Sequence, residues 1–157
     1  MPHFDPSRDL RTLGAYQDWI HAQLDGPHEL ESVAAAVSQW SSLQHLAHVA
    51  LANELVLRNL KSLCLGAGLL IVRGGDPDPR ALPMLAAGRL PRGEVQAPRM
   101  VRPPPNVERA QVLQWLADAR VELTALDPQR IIPGDLKIPH QLLGPLDAPQ
   151  WTRFAVV

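Results

Sequence analysis

One cysteine, Cys64, leaves this 157-residue chain unable to close an internal disulfide, which suits a reducing compartment. Neither sign of charge dominates: 15 Lys and Arg face 16 Asp and Glu, for a net charge of -1 and a pI near 6.6. That balance provides no basic footprint for nucleic acid. Long apolar runs are missing too. The longest, "LCLGAGLLIV" at 63 to 72, has ten residues and two glycines, too short to span a bilayer. The start, "MPHFDPSRDL", lacks the charged and apolar regions of a signal peptide. CxxC, HExxH and clustered carboxylates are absent, and "GAG" at 66 to 68 lacks the third glycine of a dinucleotide loop. These absences predict a soluble cytoplasmic domain without nucleic-acid or membrane partners.

Proline, by contrast, is plentiful, and its placement divides the chain. None of the 16 prolines lies at 28–76 or 106–127, and eight crowd into 77–105. A helix interior tolerates proline poorly, so the proline-free windows are where long helices can run. With 46% hydrophobic residues, the chain is read as one folded domain over 1–157.

Apolar spacing predicts a first helix from Asp5 or Ser7 to Leu24, with Leu10, Leu13, Tyr16, Ile20 and Leu24 on one side and Arg11 and Asp18 on the other. A short helical piece is expected at "HELESVAAAVSQ", 28 to 39. A second long helix starts after Trp40, capped by Ser41 or Ser42, and ends near Leu65 at the glycines of "LGAG". The third, "NVERAQVLQWLADARVELTAL", has Asn106 as its expected cap. Glu108, Gln111, Asp118 and Glu122 form one arc, and Ala110, Val112, Leu113, Leu116, Ala117 and Leu123 fill the rest. In "LDAPQWTRFAVV", Asp147 and Gln150 have capping-box spacing ahead of Trp151, Phe154 and Ala155. A helix stopping on "FAVV" without glycine or polar cap reads as cut, which predicts a bundle lacking most of its last helix.

The second helix carries "WSSLQHLAH", with two histidines three residues apart. Glu54, Arg58 and Lys61 form its expected solvent stripe, and at about 100° per residue His45 and His48 fall opposite, among Ala52, Leu55, Val56 and Leu63. An inward imidazole ordinarily donates to a backbone carbonyl and packs against leucines. Two ligands do not make a zinc-type centre, which needs three or four, and His140 is the further candidate. His3, His21 and His28 read as surface or loop residues. Cys64 has no adjacent base and reads as core. The arginines from Arg89 to Arg102, in "RLPRG" and "PRMVRPPP", read as a solvated loop that could also meet an anion.

"WSSLQHLAHVALANELVL", "GRLPRG...APRMVRPPP", the long third helix and "HQLLGPLDAPQWTRFA" together resemble the DinB/YfiT-like superfamily of small metal-binding proteins. The resemblance covers most of the chain. It rests chiefly on Trp40, Ser41, Gln44 and His48, and on Gly144, Leu146, Trp151 and Phe154. It implies an all-α four-helix bundle with a long proline-rich crossover, residues 73 to 105, between helices 2 and 3, and an incomplete fourth helix. It also implies a divalent metal, nickel or zinc, held by His48 and by an H-x-x-x-H pair expected directly after Val157. The implied chemistry is that of thiol-dependent transferases or metal-dependent hydrolases acting on a small-molecule or thiol substrate. Such a metal would act as a Lewis acid on water or thiol, with His45 packing or supporting His48. The competing expectation is a non-catalytic helical bundle acting through self-association, as a homodimer, or through another protein.

Overall fold

A computed structural model describes residues 2–90 and 96–157. Asp5 opens α1 (Pro6–Asp25) by accepting the Arg8 amide at 3.1 Å, with Pro6 in the first turn, where its missing N–H costs nothing. The buried stripe runs Leu10, Leu13, Gln17, Ile20 and Leu24. Tyr16, expected inward, is 46% exposed. Alternating steps of three and four place residue 17 rather than 16 on the inner face, so a polar side chain holds the buried position.

The helical piece expected at 28–39 does not form; that stretch is irregular apart from one turn at 35–37. Arg109 holds the start of this stretch. Its guanidinium donates to the carbonyls of Leu24 and Gly26, at 3.2 Å each, and to that of His28, while Nε bonds Glu31 at 2.9 Å. The exit from α1 and the first residues of the loop are thus tied to a side chain from across the fold. Leu30 is buried, and its carbonyl accepts the Leu43 amide at 2.7 Å.

The Arg109 contact holds the Glu31 carboxyl at about 2, well below its ordinary 4.5. A pKa lowered in the folded state adds stability above the unfolded value, and that stability disappears as pH falls through the folded one. Thermal melting of the wild type should therefore decline relative to Glu31→Gln between pH 4.5 and about 2, the two curves meeting below that range. Parallel curves would detach Glu31 from stability.

Helix α2 (Ser42–Leu65) begins with a full capping box: Gln44 N–H donates to Ser41 Oγ at 3.2 Å, and Ser41 N–H to Gln44 Oε1 at 2.9 Å. Gly66 ends it at φ 67°, a left-handed conformation that glycine adopts without strain. Helix α4 (Arg109–Ala125) buries Val112, Leu116, Ala119 and Leu123 along α1 and α2. Its N-cap is Glu108 rather than Asn106, and Ala110 and Ala117, expected inside, are exposed. On α2, Arg58 and Lys61 are exposed as expected, Glu54 is half-buried and paired with Arg58, and Lys61 bonds Glu122 of α4 at 2.9 Å.

The all-α expectation needs correction. Strands β1 (Val72–Arg73), β2 (Leu136–His140) and β3 (Gly144–Leu146) form a small antiparallel sheet in that order. Pro139 and Pro145 face each other across the hairpin, where they forbid a helix. The 73–105 crossover is also more than a connection, since α3 (Ala81–Ala87) buries Ala81 and Leu85 and a 3-10 turn spans Arg99–Val101. Arg89, Arg99 and Arg102 are exposed, as a solvated loop requires. Arg92 lies outside the described residues.

Helix α5 (Ala148–Phe154) has the capping box read from Asp147 and Gln150. Among the described residues the protein is thus mostly helical, with three long helices, two short ones and a sheet, rather than the expected four-helix bundle with an incomplete last helix. No described helix is long and apolar enough to cross a membrane.

Its core has two parts. One joins Leu13, Leu57, Leu60, Leu85, Ile138, Leu146 and Trp151; the other joins Ile20, Leu24, Leu43, Leu46, Val112 and Leu116. Gln17 and Asn53 are buried where the helices pass from one cluster to the other, and among the described residues nothing hydrogen-bonds the Gln17 carboxamide or the Asn53 Nδ2.

Candidate functional site

The histidine end of α2 is set by its first turn. The capping box fixes where the helix starts, and the buried stripe Leu43, Leu46, Ala47, Ala50 and Asn53 fixes its rotation. His48 lies on the edge of that stripe, half-buried, with Nδ1 2.7 Å from the Val101 carbonyl oxygen. A carbonyl only accepts, so Nδ1 carries the proton and Nε2 keeps its lone pair. His45 is exposed, against the expectation that both histidines point inward. The expected inner face was centred on Ala52 and Leu55, which are only half-buried; the true stripe is rotated away from residue 45.

Trp40 lies against both imidazoles, with ring centroids 5.4 Å from each. His45 Nε2 is 2.9 Å from Ser38 Oγ, and Ser38 Oγ also accepts the Trp40 amide at 3.1 Å. Partial desolvation of the ring, and secondarily the neighbouring His48, lower the His45 pKa from its ordinary value. Ser38 was not anticipated, because it lies in an irregular loop seven residues before its partner, where no periodicity points to it.

His140 serves a different place. At the end of β2 its Nδ1 accepts the amides of Leu142 and Leu143, both at 3.2 Å, which leaves the proton on Nε2. Its ring packs against Phe154 and Trp151, with centroids 4.5 and 5.5 Å away, and burial lowers its pKa. His3, His21 and His28 are exposed, as read. Among the described residues no three His, Cys, Asp or Glu side chains converge as a metal would need.

Comparison with family models, curated proteins and solved structures finds no match.

Cys64 packs against the first cluster, its thiol pKa raised by burial and its Sγ 3.7 Å from the Arg130 carbonyl. A thiol held protonated is a poor nucleophile, in line with its reading as core. It lines a hollow of about 160 Å³ with Lys61, Glu122 and Arg130, and Arg130 is engaged there with the Cys64 carbonyl at 2.9 Å.

Proposed function

We propose that this is a helical protein of DinB/YfiT-like type, with a role in metal-dependent thiol transfer or hydrolysis, and that His48 is its ligand for a divalent metal, nickel or zinc. The observation that carries the reading is the bond from His48 Nδ1 to Val101 O, 2.7 Å long. Metal-binding histidines characteristically give their second ring nitrogen to a carbonyl or carboxylate, which fixes the tautomer and aims the other nitrogen. His45, bonded to Ser38 instead, is not placed as a second ligand. The described residues do not by themselves fit a resident metal, since His48 provides one donor where three or four are needed.

The expected behaviour follows from that count. Dialysed protein should retain no stoichiometric nickel or zinc. Added nickel should bind weakly, with paramagnetic broadening centred on the His48 ring in NMR spectra, and His48→Ala should remove it. Broadening centred on His140 that survives His48→Ala would overturn the assignment.

A second reading, association with a copy of itself, is favoured by Leu65, Leu69 and Leu70. These three large side chains stand exposed within six residues of chain, at the last residue of α2 and just beyond it. Exposed apolar surface of this kind marks contact sites when it is contiguous. Sedimentation would show a dimer that Leu69→Glu dissociates; a monomer at all concentrations would exclude this reading.

A further inference from the structure

We propose that Ser38 and His45 form a nucleophile and general-base pair that accepts acyl groups from small activated esters. This rests on geometry at the end of the loop before α2, independently of any metal. The turn at 35–37 closes with the amides of Val37 and Ser38 both donating to Ala34 O, at 2.8 and 3.0 Å. Ser38 follows directly and meets the first turns of α2. Because its oxygen accepts the Trp40 amide, its own proton is available to His45 Nε2, 2.9 Å away. A nucleophile and base within hydrogen-bond reach, the base held by a third group, are the working parts of covalent acyl transfer. Trp40 supplies the holding contact, its ring meeting that of His45 edge to face.

The pair borders a hollow of about 230 Å³. Val33, Val37 and Trp40 give it apolar walls against which a short acyl chain can rest, and Ser42 lines it from the positive end of α2. In acylation Ser38 Oγ bonds to the ester carbonyl carbon and its proton passes to His45 Nε2. The carbon–oxygen bond to the leaving group then breaks, and the alcohol or phenol departs with that proton. In deacylation a water oxygen attacks the same carbon and yields a proton to His45, the bond to Oγ breaks, and Oγ takes the proton back.

The test uses p-nitrophenyl butyrate with the full chain. Because the chain has six histidines that can hydrolyse such esters without any site, the location of the acyl group decides. A burst of nitrophenolate approaching one per chain is expected, with a butyryl mass increase mapping to the peptide containing Ser38. Ser38→Ala should abolish the burst, and His45→Ala should slow it by about 10²-fold, the ordinary contribution of a positioned base. Ser38→Thr should restore part of it, while His21→Ala and added chelator should leave it unchanged. Ser38 is half-buried and His45 exposed, so the variants are expected to fold, and circular dichroism is the check. Acylation at any other residue, or a burst that survives Ser38→Ala, overturns the proposal.

Discussion

Replacing Trp151 by alanine should unfold the protein at ordinary temperature, or bring it within reach of doing so. The side chain is 3% exposed and belongs to the cluster built from both ends of the chain. Its indole N–H donates to the Ile138 carbonyl at 3.0 Å, joining α5 to the hairpin, and its ring meets Phe154 at 90° and His140 at 62°. Removing a buried Trp costs about 3–5 kcal/mol, and a whole domain is stable by about 5–15 kcal/mol. Trp151→Phe keeps most of the volume and loses the hydrogen bond, so its loss should be smaller. Urea denaturation measures both. An alanine variant within 1 kcal/mol of wild type would mean that α5 contributes little to the fold.

Breaking the ion pair beneath α5 should be nearly as damaging. The Asp9 side chain is only 4% exposed, and Arg153 Nη1 reaches it at 3.0 Å while Arg153 Nε donates to Leu85 O at 2.9 Å. One guanidinium thus ties α1, α3 and α5 together. Arg153→Met would leave the Asp9 carboxylate buried and without its charge partner, a change that typically costs about 3–5 kcal/mol. The double substitution Arg153→Met with Asp9→Leu removes both charges and should regain much of that loss, because apolar replacement of a buried pair is often neutral. A double variant as unstable as the single one would show that the bond to Leu85, rather than the charge pairing, holds these elements.

The helix boundaries were readable where local chemistry sets them. Ser41, one of two expected caps, Gly66, and Asp147 with Gln150 all act within four residues of where they stand, whereas Asn106, equally local, is not the cap that α4 uses. Features set by distant partners were not readable. The 28–39 segment has helical composition, yet its start at His28 and Glu31 is held by Arg109, some 80 residues away. The hairpin was missed because two short strands containing Pro139 and Pro145 show no alternation long enough to register. Of the site, the inward lean of His48 was readable from the helical wheel, but Val101 as its partner was not. His45 was misplaced because apolar residues on α2 exceed what one buried stripe needs, so the wheel had no sharp centre. Gln17 was overlooked for the opposite reason: a polar residue holds a core position.

The buried level at Gln17 and Asn53 has a consequence for how the chain assembles. The cluster on one side of it draws only on residues 20–50 and 112–116, all from three helices and the loop between the first two. The cluster on the other side needs Leu10 and Leu13 to meet Ile138, Leu146 and Trp151, so almost the entire chain must close into a loop before it forms. Contacts distant in sequence are slow to make, because loop closure costs entropy before any burial offsets it. The purely helical end is therefore expected to order first and the sheet-bearing end to follow. With the polar side chains of Gln17 and Asn53 buried at the junction, order is expected to pass from one half to the other mainly along the three long helices. In native-state hydrogen exchange the amides of β2, β3 and α5 should accordingly open as one group, at lower free energy than the middle turns of α2, the helix common to both halves.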